Sequence, residues 1–181
     1  MTEMTDHKVS IIGCGNIGLS LLKGLIRNNA IPAKNITATR RNIQELNNLK
    51  EYGVRLTTDN VSAVEGSDLI IVAVKPYNII NILKSIKDHL DPERHILISV
   101  TTGITLSQIQ DVIQISMPVF RAMPNISASV GKAVTCICHR GADEQDIESV
   151  RYLFDNTGTT MSIDEELMES ATILGSCGIA Y

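Results

Sequence analysis

The chain has 181 residues, 44% hydrophobic and 20% charged, with a formal net charge of −4. Those proportions are ordinary for a globular protein, allow one good core, and argue against nucleic acid as the default partner. Aromatic residues are only 3% of the chain and tryptophan is absent, which argues against base-stacking platforms and makes the core aliphatic.

The longest purely apolar run, Leu69–Val74, is far too short to cross a bilayer. The first residues, MTEMTDHK, carry two acids and no long apolar stretch, so the chain reads as soluble and cytoplasmic, with no membrane partner. Four cysteines, Cys14, Cys136, Cys138 and Cys177, suggest no disulfide framework at this length. Cys136-x-Cys138-His139 fits neither a zinc knuckle nor the haem-attachment spacing. No metal is expected, and the two cysteines read as small core residues.

Val9–Ile12 predicts a buried strand, and Gly13, Gly15 and Gly18 follow it at G-x-G-x-x-G spacing. Ile17, Leu21 and Leu25 then repeat every fourth residue, so the chain enters a helix directly. Gly13 permits the tight turn, Gly15 lets a pyrophosphate approach the backbone, and Gly18 lets the helix pack on the strand. Free N–H groups and the positive end of the helix dipole then complete an anion seat. A glycine-rich turn that binds nothing is the bland alternative; the strand–turn–helix context argues against it.

A second strand, Ile36–Thr39, runs into Arg40 and Arg41. Folds that bind NAD place an acid here, on the ribose 2′-hydroxyl. Thr39, Arg40 and Arg41 instead suit a 2′-phosphate, so NADP is the expected cofactor; the alternative is that two arginines open a solvated helix. Leu46 and Leu49 mark a second helix closed by Gly53, and Val54–Leu56 a third strand. Thr58-Asp59-Asn60 caps a short helix, Val61–Glu65. Leu69–Val74 reads as a central parallel strand ended by Lys75-Pro76. Ile79, Leu83, Ile86 and Leu90 mark the next helix; Ile96–Val100 is a fifth strand; Leu106, Ile109 and Ile113 mark a helix; Val119–Met123 is a sixth strand ended by Pro124-Asn125. Lys132–His139, a helix capped by Asp143, and Thr159–Ile163 follow, and Leu167 opens a helix reaching Tyr181.

Alternating strands and helices predict a doubly wound, Rossmann-type α/β domain with a mostly parallel sheet over residues 1–164. Residues 165–181 then carry one further helix, outside that alternation. The ligand crevice belongs at the carboxyl ends of the strands, where Gly13–Gly18, Thr39–Arg41, Val74–Pro76, Thr101–Gly103 and Pro124-Asn125 collect.

At this point the chain resembles the pyrroline-5-carboxylate reductase family along nearly its whole length. IIGCGNIG, TTDN (Thr57–Asn60), AVKP (Ala73–Pro76), ISVTTGIT (Ile98–Thr105), RAMPN (Arg121–Asn125) and MESATILGSCGIAY (Met168–Tyr181) occur in the family's order. Ile179 and Cys177 stand where the family usually has Pro and Ser. The resemblance implies NADPH-dependent reduction of 1-pyrroline-5-carboxylate to proline, in the cytoplasm, by a homo-oligomer. It carries pyrophosphate contacts to Gly13, Gly15, Asn16, Ile17 and Gly18, and 2′-phosphate contacts to Thr39, Arg40 and Arg41. Asn60, Ala73, Val74, Lys75 and Pro76 would lie along the ribose and nicotinamide, and Asn125 near nicotinamide and substrate. The strand-end loops hold no convincing general acid, and the family places those groups in a helical domain that the sequence only begins. The catalytic residues are therefore expected outside this chain. Two other readings stand: a non-catalytic NADP-binding module, and another NADP dehydrogenase, such as one acting on β-hydroxyacids.

Overall fold

The structure is a computed structural model and describes residues 6–177. Three strands open the chain: β1 (Val9–Ile12), β2 (Ile36–Thr39) and β3 (Arg55–Thr57). Five more follow: β4 (Leu69–Val72), β5 (Ile96–Ser99), β6 (Val119–Met123), β7 (Ala133–Arg140) and β8 (Gly158–Ser162). Between them run α1 (Asn16–Arg27), α2 (Asn60–Glu65), α3 (Pro76–Ile86), α4 (Leu106–Ile113) and α5 (Glu144–Asp155). The strands form one eight-stranded sheet in the order β3-β2-β1-β4-β5-β6-β7-β8. Every pairing is parallel except that of β6 with β7.

The five strands β1, β2, β4, β5 and β6 are buried on both faces, as unbroken apolar runs require. In β1, Val9 and Ile11 point to one core layer and Ile12 to the other. In β4, Leu69 and Ile71 oppose Ile70 and Val72 in the same way. Leu21 and Leu25 of α1 and Phe154 of α5 fill the first layer. Ile79 and Leu83 of α3, with Ile109 and Ile113 of α4, fill the second.

Several elements differ from the sequence reading. The second helix is a 3-10 helix, Ile43–Tyr52, with Leu46 and Leu49 its buried residues. A three-residue apolar spacing suits the three-residue turn better than an α-helix. Gly53 closes it in the left-handed region, at φ +91. The third strand lies one residue later than expected, and β4 ends at Val72, two residues early. Ala73 still donates its N–H to the Ile12 carbonyl at 2.7 Å, and then the chain turns into the crevice.

The last segment is not one regular helix. A 3-10 turn, Glu165–Leu167, leads into α6 (Met168–Thr172), then into wide π-turns over Ile173–Cys177. The Gly175 carbonyl accepts a hydrogen bond from the Asn125 side chain at 2.9 Å, beside the point where the helix widens. Leu167, Ile173 and Leu174 are exposed and Met168 is fully buried; residues 178–181, the end of the expected helix, lie outside the described residues. Among the described residues no helix is long and apolar enough to cross a membrane.

Candidate dinucleotide site

The strand order turns outward in both directions from β1 and β4, so their carboxyl ends open a crevice between diverging loops. On its floor Gly13 takes φ +82, a conformation that side chains resist. A Cβ there would also lie 2.4 Å from Val74 Cγ1. A Cβ on Gly18 would press on Ile11 Cγ2 at 3.0 Å, which confirms close packing of helix on strand. Gly15 differs: a Cβ would meet nothing nearer than the Gly13 carbonyl oxygen, at 3.9 Å. Open space therefore lies before Gly15.

Gly15 is also the N-cap of α1, without a side-chain cap and without an acid in the first turn. The first N–H groups of α1 consequently have no intrahelical partner, and their dipole end is not neutralised. An uncapped helix end facing open space, flanked by Arg40, Arg41 and Lys75, suits a pyrophosphate and fits the expected dinucleotide.

Thr39 holds this loop from beneath. Its hydroxyl accepts the Gly13 N–H at 3.2 Å and donates to Asn60 Oδ1 at 2.7 Å. Its carbonyl accepts the Cys14 N–H at 2.8 Å. Its hydroxyl is thus engaged on both sides, and 2% of the residue is exposed. Its observed work is to fix the loop and to turn the Asn60 amide so that its N–H2 remains for other partners.

Arg40 donates to the Cys14 carbonyl at 3.1 Å and is paired with Glu45, while Arg41 is exposed. The Cys14 thiol is no nucleophile, because burial pushes its pKa up to about 12. Across the crevice, Ala73 and Val74 are half-buried, and Thr101 donates to the Val74 carbonyl at 3.1 Å. Lys75 is the N-cap of α3 and Pro76 its first residue, both exposed. Asn16 is exposed and Ile17 half-buried at the head of α1.

Asn125 is buried at the end of β6, with Oδ1 accepting the Ser127 N–H at 3.1 Å and Nδ2 on Gly175. Its visible role is to clamp the last segment to the sheet. Beneath it in β6, Arg121 is paired with Glu165 at 2.9 Å. The same carboxylate oxygen accepts the Leu106 N–H, the first of α4, at 2.7 Å. Sequence reading missed both Glu45 and Glu165. The signal for Glu45 was an acid in the first turn after an arginine pair; Glu165 had none, since its partner lies far away in the chain.

Burial raises the pKa of Cys138 to about 11, the Glu165 carboxylate adding to the effect. Cys136 is half-buried and likewise raised by burial. Among the described residues, no three His, Cys, Asp or Glu side chains gather where they could hold a metal ion. A shallow groove of about 530 Å³ runs past Cys138, His139 and Asp164, away from the glycine loop. The protonated thiol at its base brings no chemistry to it.

A family profile described as NADP oxidoreductase, coenzyme F420-dependent, matches residues 8–103. Pyrroline-5-carboxylate reductase 2 of Dictyostelium discoideum is 34% identical, aligning with 99% of this chain and 66% of its own length. Pyrroline-5-carboxylate reductase 1 of Bacillus subtilis is also 34% identical, over 97% of this chain and 60% of its own. The chain thus spans about two thirds, or less, of these relatives. Among solved structures, a pyrroline-5-carboxylate reductase from Coxiella burnetii superposes with TM-score 0.90 at 28% identity, over 97% of this chain and 66% of that one. The Plasmodium falciparum pyrroline carboxylate reductase with NADP bound superposes at 0.87 with 24% identity, over 98% and 65%, a likeness of fold. The chain therefore belongs to the NADP oxidoreductase, coenzyme F420-dependent family, as a chain similar to pyrroline-5-carboxylate reductases over nearly all its length.

Proposed function

We propose that this chain is the NADP-binding portion of a reductase that converts 1-pyrroline-5-carboxylate to L-proline. The observation that carries the cofactor reading is the open space before Gly15 at the uncapped head of α1, beside Arg40 and Arg41. The substrate reading is supported by relatives such as those of Dictyostelium discoideum and Bacillus subtilis, which are named for that reaction.

Gly13, Gly15, Asn16, Ile17 and Gly18 would take the pyrophosphate, and Thr39, Arg40 and Arg41 the 2′-phosphate. The freed amide of Asn60, with Ala73, Val74, Lys75 and Pro76, would line the ribose and nicotinamide. When bound, NADPH supplies the hydride for a C=N bond. This chain's part is to hold and orient the dinucleotide. The proton for nitrogen and the clamp for the substrate carboxylate would come from a helical domain, with the complete protein a cytoplasmic homo-oligomer and Asn125 near the substrate. The dinucleotide-binding domain would cover residues 1–164 and the helical domain would begin at residues 165–181, where Glu165 pairs with Arg121 of the sheet.

Fluorescence titration with NADPH and NADH tests the cofactor. The chain should prefer NADPH, and changing Arg40 and Arg41 together to Ala should weaken NADPH by about 1–3 kcal/mol while sparing NADH. Equal losses for both would sink the assignment. Assay of NADPH oxidation with 1-pyrroline-5-carboxylate tests the substrate: this chain alone should be nearly silent, because positioning and charge stabilisation at the substrate would be missing. Turnover by this chain comparable with that of a relative would place the catalytic groups within residues 1–181.

A further inference from the structure

Glu45 occupies the arginine that a 2′-phosphate needs. One carboxylate oxygen is held by Arg40 Nη2 and the other by Asn42 Nδ2, the latter at 3.0 Å. The Arg40 side chain is 30% exposed and that of Glu45 49% exposed, so both are within reach of a dissolved ligand. The second arm of Arg40 lies on the Cys14 carbonyl within the glycine loop. A negative group is thus already seated at the end of β2, on a guanidinium that also touches the loop. Arg41, one residue on, is exposed.

We propose that Glu45 is a resident anion that sets the cofactor preference by competing for Arg40; this rests on the dinucleotide-binding reading above. A 2′-phosphate has up to two negative charges and three acceptor oxygens, so it can displace one exposed carboxylate. A 2′-hydroxyl cannot. With NADPH, Arg41 meets the phosphate first and Arg40 leaves Glu45 to join it. With NADH, Glu45 stays seated and Arg40 stays neutralised. Glu45 therefore takes part of the binding energy from NADPH and none from NADH, and the discrimination is smaller than two free arginines would give.

The test is Glu45→Gln, which keeps the size and one of the two acceptor oxygens and removes the charge. Glu45 is solvent-exposed, and thermal melting checks that the variant folds. Titrate wild type and variant with NADPH, NADH, 2′,5′-ADP and 5′-AMP. NADPH and 2′,5′-ADP should each tighten about fivefold, the worth of one partly exposed ion pair, while NADH and 5′-AMP stay as they were. In an Arg40→Ala background the same change should do nothing, an outcome that mere tethering of the turn would not produce. Weakened NADH with unchanged NADPH would mean that Glu45 grips the ribose, and would overturn the proposal. So would an unchanged NADPH affinity, or tightening that persists without Arg40. A wild-type chain that binds none of the four would overturn the dinucleotide reading itself, and the proposal with it.

Discussion

Replacing Glu165 by Ala removes one carboxylate oxygen that serves two buried donors. Arg121 would be left with its side chain 7% exposed and no counter-charge, and the first N–H of α4 would lose its acceptor. Removing one partner of a fully buried pair costs about 3–5 kcal/mol. The Glu165 side chain is 25% exposed, so water can partly replace it, and the pair's share falls to about 2 kcal/mol. An orphaned backbone N–H adds about 1 kcal/mol, for about 3 kcal/mol in total. In a domain of this size that lowers the melting temperature by roughly 6–12 °C. Glu165→Gln keeps an acceptor for both donors and should lose about half as much. Urea unfolding followed by circular dichroism measures each, with exposed Glu166→Ala as a control that should stay within about 0.5 kcal/mol of wild type. A Glu165→Ala protein as stable as the control would refute the bridge between β6, α4 and the last segment.

Three further outcomes follow from individual contacts. Gly24→Ala in α1 should destabilise by about 1–3 kcal/mol, although alanine favours helix, because its Cβ would fall 2.2 Å from the Ala128 carbonyl oxygen; a gain in melting temperature would contradict the packing. Gly15→Val should abolish detectable NADPH binding and leave the unfolding midpoint within the range of surface substitutions; retained binding would show Gly13–Gly18 to be only a turn. His95 is buried, accepts the Asp91 N–H at 2.9 Å, and has its pKa lowered first by burial and then by the Arg94 guanidinium. Its unfolded form takes a proton at higher pH than its folded form, so its contribution is whole above about pH 6.5 and is lost as pH falls below that value. His95→Gln should flatten the stability profile below pH 6.5, and an unchanged slope would assign the acid sensitivity elsewhere.

The frame was legible because its parts speak locally. Val9–Ile12, Ile36–Thr39 and Val119–Met123 announce themselves as short β-rich runs between turns, and the structure keeps those bounds. Leu106–Ile113 is a helix over the expected span because Thr105 and Gln108 close a capping box at its head. The glycine loop was equally plain, since each glycine answers a local steric demand. What escaped depends on groups brought from afar. Thr39 reads as the end of a strand beside two arginines, and nothing local shows that Gly13 and Asn60 will meet on its hydroxyl. The helix expected from Leu167 onward is regular in its apolar spacing, yet Asn125 takes one of its carbonyls.

The reversal of strand direction between β6 and β7 bears on the order in which the sheet assembles. β6 reaches β7 through residues 124–132, which hold the 3-10 helix Ile126–Val130, whereas Val9 must find Leu69 across two intervening strands and the helices that serve them. Closing a short loop costs less chain entropy than closing a long one. The β6–β7 ribbon has the shortest connection of any strand pair in the sheet, and it carries Arg121 and Cys138 opposite each other from the start. Pulse-labelled hydrogen exchange should protect its amides ahead of those of β1. If so, the half of the molecule that would hold the dinucleotide forms last, laid against an edge that was folded first.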